Sequence, residues 1–68
     1  MTTVLLGRQR YSQHREIWIW LLDNVGKGGR WQEPMVAGYL WDWSDAFGHA
    51  FVRFRDKGHA MMFSLVWT

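Results

Sequence analysis

The chain has 68 residues, no cysteine and a formal charge of +2, with a sequence pI near 9.5. That length sets one compact domain over residues 1–68 as the expectation, with no disulfide to help it and roughly 60% of the unfolded chain's surface buried on folding. The mild positive charge is compatible with nucleic acid and excludes a strongly acidic nucleic-acid mimic. Stability then rests on packing. Six tryptophans, four phenylalanines and two tyrosines supply it, each able to bury on the order of 150–250 Å². A core this small does not easily hide six indoles, so some are expected at the surface, where tryptophan marks partner contacts.

The first residues carry no basic leader pattern, and the longest apolar run, 17–22, is six residues. A bilayer span needs roughly 20. The expectation is a soluble cytoplasmic chain without a membrane partner.

In chain order, Val4-Leu5-Leu6 is a short apolar run ended by Gly7 and reads as a first strand. A polar, basic connection with Arg8 and Arg10 follows. Ser12 is placed to cap a helix running to about Val25, with Gly26 just past its end. Ile17, Leu21 and Val25 fall at i, i+4 and i+8 on one apolar stripe. The continuous run 16–22 also admits a buried strand; length and caps favour the helix. Residues 27–30, Lys-Gly-Gly-Arg, read as a flexible loop. Its glycines and cations suit an oxyanion, but the Walker spacing and hydroxyl are absent, so a solvated helix exit is the favoured reading.

Pro34 marks a strand entry. Over 35–43, Tyr39, Trp41 and Trp43 alternate with Val36, Gly38 and Leu40. Either set can face the core, because a one-residue slip exchanges the faces. Ser44 and Asp45 suit a turn. The strand 48–54 has two contrasting sides. Ala50, Val52 and Phe54 are small and apolar, suited to a core under the helices. Phe47, His49, Phe51, Arg53 and Arg55 are aromatic and basic. Asp56 then caps a short helix to Met62, and 63–67 alternates again as a closing strand.

The order strand-helix-strand-strand-helix-strand is that of an α+β, ferredoxin-like βαββαβ fold: a four-stranded antiparallel sheet with both helices on one face. Its other face stays open, and there Phe47, His49, Phe51, Arg53 and Arg55 would stack bases and contact phosphates. Trp41 and Trp43 extend the platform if they share that side, and Arg8 and Arg10 add cations.

With the octapeptide 47–54, this order resembles the RNA recognition motif family, whose third-strand signature is K/R-G-F/Y-G/A-F-V-x-F/Y. Gly48, Ala50, Phe51, Val52 and Phe54 match it. Phe47 stands where the family has a cation, His49 where it has a stacking aromatic, and Leu5 where the first strand has another. The resemblance implies single-stranded nucleic-acid binding, with Phe51 as the matched stacking residue. The closing pattern Asp56-x-x-His59-Ala60-x-x-Phe63-x-Leu65-x-Trp67 is similar to the end of small phage-encoded proteins. That resemblance suits the alternative, a protein-interaction module that docks on a host protein or on itself as a homodimer.

Catalysis and cofactors find no support in the pattern. There is no cysteine nucleophile and no recognisable Ser/His/Asp set. Asp42, Asp45 and His49 match no metal-ligand spacing, and His14 and His59 add none. The expectation is a non-enzymatic binding module with no cofactor and no metal.

Overall fold

The computed structural model describes residues 1–7, 13–46 and 48–68. Its elements are β1 (Thr2–Leu6), α1 (His14–Asn24), β2 (Gly28–Arg30), β3 (Trp41–Ala46), β4 (His49–Phe54) and α2 (Lys57–Trp67). The four strands form one sheet in the order β1-β4-β3-β2. β4 pairs antiparallel with β1 and with β3, while β2 lies parallel to β3.

The chain is therefore α+β with a mixed sheet, and four expectations are corrected. The closing strand is helix: 63–67 continues α2, so the antiparallel βαββαβ arrangement is not the one adopted. The fourth strand comes instead from Gly28–Arg30, in the segment expected to be a loop. The strand expected over 35–43 begins only at Trp41 and runs on through Ser44 and Asp45. The chain reverses at Gly48, whose φ of +77° needs a glycine, rather than at Ser44-Asp45.

The helical reading of 12–25 holds from His14 onward; the cap expected at Ser12 lies outside the described residues. Ile17, Leu21 and Val25 are buried as one stripe. The helix ends where Gly26, at φ +133°, turns its N–H back to the Leu21 carbonyl (3.0 Å), a glycine C-cap. Asp56 caps α2 as expected, its Oδ1 accepting from the Gly58 N–H at 2.7 Å.

Both helices pack on the same sheet face. Leu6, Trp41, Trp43, Ala50, Val52 and Phe54 of the sheet meet Ile17, Leu21 and Val25 of the α1 segment and Ala60 and Phe63 of α2 in one buried cluster. Trp18 stands edge-on to Trp41, with ring centroids 4.9 Å apart, and tilted to Trp43 at 5.8 Å. Trp20 reaches across to Phe63 at 5.9 Å and to Trp67 at 6.5 Å, joining the helices. Among the described residues, no helix is long and apolar enough to cross a membrane.

Phe54 is fully buried, while Phe51 is half-buried on the opposite face. Phe54→Ala is expected to cost roughly 3–5 kcal/mol, because a small core cannot collapse around the cavity. Phe51→Ala should cost clearly less. Urea denaturation of the two variants checks this; equal losses would mean the faces of β4 are wrongly assigned.

Candidate functional site

The face of β4 expected to be open is covered where it meets β3. Register sets Asp42 opposite Arg53, Ser44 opposite Phe51 and Ala46 opposite His49, all turned away from the helices. The ten residues 31–40, which link β2 to β3, lie as a strap over this side. Arg53 fastens the strap. Its Nε and Nη2 donate to the two oxygens of Asp42, the first at 2.9 Å. Nη1 donates to Glu33 Oε1 at 2.6 Å and Nη2 to the Gln32 carbonyl at 2.9 Å. The guanidinium also lies 4.0 Å from the centre of the Trp31 ring, a cation–π contact. Asp42 is fully buried and Arg53 only 8% exposed.

Electrostatics follow from these contacts. The Trp31 indole N–H, donating at 2.6 Å, and then Arg53 hold the Glu33 carboxyl below its ordinary range, slight desolvation opposing them. The paired Asp42 carboxylate raises the affinity of Arg53 for its proton further. Arg53 is thus a neutralised structural cation rather than a free phosphate contact. Arg55 is exposed, but its guanidinium is engaged by the strap, with Nε donating to the Tyr39 carbonyl at 2.6 Å and Nη2 to that of Val36 at 3.3 Å.

The remaining sequence candidates divide. Trp41 and Trp43 are 0% and 1% exposed on the helix side, so they are core. Their indole N–H groups donate to the Gly26 carbonyl and to Asp45 Oδ1, each at 2.8 Å. His49 and Phe51 are half-buried on the strap side. Phe47, Arg8 and Arg10 lie outside the described residues. Asp42 is committed to Arg53. Asp45 serves Trp43 and takes an ion pair from Arg30 at 3.4 Å. Among the described residues, no three metal-ligating side chains converge.

The glycines of 26–30 have a packing reason that sequence reading missed. A Cβ on Gly28 would stand 2.2 Å from the Trp41 indole, and one on Gly29 would stand 2.7 Å from the Tyr39 hydroxyl. They seat aromatic rings from either side of β3 rather than an oxyanion. A hollow of about 270 Å³ between His14, Trp18, Arg30, Trp43 and Asp45 lies near this edge, with its Arg30, Trp43 and Asp45 groups already facing one another.

None of the six tryptophans is exposed; two are buried and four half-buried. The surplus apolar surface is aliphatic. Met1, Leu5, Met61 and Leu65 are 70%, 53%, 60% and 85% exposed. Leu5, Met61 and Leu65 line a groove of about 660 Å³ between strand β1, from Thr2 to Leu5, and the helix α2 stripe Lys57, Ala60, Met61, Ser64, Leu65. The signal was present in the sequence: positions 57, 60, 61, 64 and 65 are one helical face. The alternation of Phe63, Leu65 and Trp67 concealed it by imitating a strand.

No protein-family model matches the chain, and no curated protein or solved structure resembles it closely enough to count as a match.

Arg53→Ala strands a buried carboxylate and is expected to destabilise the fold by about 3–5 kcal/mol, whereas Asp42→Leu with Arg53→Met should recover most of that loss. Thermal or urea unfolding of both variants checks it; a harmless Arg53→Ala would restore the free-cation reading. Acid gives a second check. Folding lowers the Glu33 pKa, so its contribution is complete above the unfolded value near 4.3 and is lost as pH falls through the folded value. Amide protection in the strap, corrected for intrinsic exchange, should therefore fall as pH drops through the folded value, and Glu33→Gln should already show the lower protection at neutral pH.

Proposed function

We propose that this chain is a non-enzymatic protein-interaction module whose contact surface is the groove between β1 and α2. One observation carries the reading: the exposed aliphatic side chains Met61 and Leu65 of α2 lie along the edge strand β1 in one groove, with the exposed Leu5 on the other face of that strand. Scattered apolar residues are ordinary on a surface, but a continuous patch marks a docking site. β1 is an edge strand, and its sequence Thr-Thr-Val-Leu-Leu has none of the charges, prolines or bulges that blunt an edge against pairing. A strand edge beside an apolar helix stripe suits a polypeptide, which can add main-chain hydrogen bonds to the sheet and side chains to the groove.

Single-stranded nucleic acid is the competing class. Against it stand the engagement of Arg53 by Asp42 and Glu33, the engagement of Arg55 by the strap, and the burial of Trp41 and Trp43. A phosphate backbone needs free cations, and among the described residues Lys57 is the one cation lining the groove. The resemblance of the closing residues to phage-encoded proteins fits an interaction module.

The test compares wild type, Leu65→Lys and Phe51→Ala against two probes. The first is an immobilised library of extended peptides with apolar residues at alternate positions; the second is labelled single-stranded RNA and DNA at low salt. Peptide binding weakened about tenfold or more by Leu65→Lys, a loss of about 1.4 kcal/mol or more, supports the reading. Oligonucleotide binding with a steep salt dependence, lost in Phe51→Ala and kept in Leu65→Lys, overturns it.

A further inference from the structure

We infer that the polypeptide that fits the groove is a second copy of this chain, joined by antiparallel pairing of β1 with its symmetry mate. The inference rests on the interaction-module reading above and adds the occupant and its register. Among the described residues, β1 pairs with β4 on one side only, and its outer edge ends the sheet. A two-fold axis perpendicular to the sheet brings two such edges together antiparallel and makes one continuous eight-stranded sheet. Closed two-fold pairing uses the same patch on both copies, so the patch must be self-complementary.

Three features meet that requirement. First, β1 is uncharged along its five residues. Pairing centred on Val4 sets Thr2 opposite Leu6 and Thr3 opposite Leu5, with no like charges facing. Second, the helices have room. α2 packs against both β1 and β4. Strands lie about 4.8 Å apart, so a helix over the β1–β4 seam stands about 5 Å from the axis and about 10 Å from its mate. Helices in contact pack at 8–10 Å. Third, the α2 stripe is symmetric about Met61. Lys57 and Leu65 lie four residues to either side of it. In an antiparallel helix pair Met61 meets Met61, and the aliphatic stem of Lys57 lies across Leu65 with its ammonium in water. The two ammonium groups stay at opposite ends.

The footprint is small. β1 runs about 17 Å and α2 about 16 Å along one flank of a molecule whose shortest extent is 18 Å. Such a flank, about 17 Å by 18 Å, projects on the order of 300 Å² per copy, below the roughly 800 Å² per partner of standard specific interfaces. That points to a reversible dimer rather than an obligate one.

Sedimentation of wild type from low micromolar to millimolar concentration is the first measurement, with Leu65→Lys beside it. A monomer–dimer equilibrium, weakened about tenfold or more by Leu65→Lys, is expected. The second uses the absence of native cysteine. Met61→Cys should oxidise to a disulfide-linked dimer, whereas Lys27→Cys, away from this flank, should not. A wild type that stays monomeric while its groove binds library peptides overturns the second copy as occupant and leaves the interaction module standing. A monomer that binds no peptide removes both. A dimer indifferent to Leu65→Lys, or cross-linked as fast through Lys27→Cys, overturns the register.

Discussion

Arg53 and Asp42 face each other on adjacent antiparallel strands, and their burial constrains everything around them. An unpaired buried charge costs several kcal/mol, so the two must share one side of the sheet and be in register. Strand alternation then forces Trp41 and Trp43 on β3, and Val52 and Phe54 on β4, to the opposite side, where the helices find an apolar layer. A slip of one residue would place both charges beneath α1 and α2 and turn the indoles toward the strap. The same guanidinium collects Glu33, the Gln32 carbonyl and the Trp31 ring. Four of its five N–H donors are thereby placed. One side chain fixes the register of the central strands and closes the face they would otherwise leave open.

The aromatic content is accommodated by pairing large rings with absent side chains. Gly28 and Gly29 give β2 almost no intrinsic strand tendency, yet they are the residues that allow Trp41 and Tyr39 to lie close against the backbone. β2 is consequently short, only three residues. It is held by parallel pairing to β3, by Leu40 donating its N–H to the Lys27 carbonyl, and by Trp31 donating its N–H to the Trp43 carbonyl. The tryptophans expected at the surface instead pack edge-on or tilted against one another or lie on Arg53, so ring area does not mark the exposed patch.

What the sequence made legible were the features that depend on local period. The α1 stripe Ile17, Leu21, Val25 and the β4 core set Ala50, Val52, Phe54 could be read directly, as could the cap at Asp56. What stayed hidden depends on partners distant in sequence. Asp42 and Arg53 are eleven residues apart across a hairpin, so Arg53 reads as a free cation until register is known. Glycine seats for Trp41 and Tyr39 look like a flexible loop. The segment 63–67 carries both a period of two and a period of 3.6, and its continuity with the stripe from Lys57 decides for helix. The groove followed from that decision, because a closing strand would have ended the stripe before Leu65.

The two edges of the sheet are unlike, and the contrast carries the functional argument. At β2 the edge is three residues long, rich in glycine, and ends in the exposed Arg30; such an edge offers a partner little to pair with. At β1 the edge is five residues of threonine, valine and leucine, and the helix beside it turns Met61 and Leu65 outward beside Lys57. Elsewhere, exposed Ile19 and Leu22 lie on α1, a different element from the groove, and do not line it. Exposure of the same residue types therefore has a different meaning in the two places. On α1 it leaves an ordinary solvated helix face, while along β1 and α2 it lies beside the outer edge of the sheet. Burying that flank would extend the sheet and cover the side chains together, and a second strand with its own apolar helix does both.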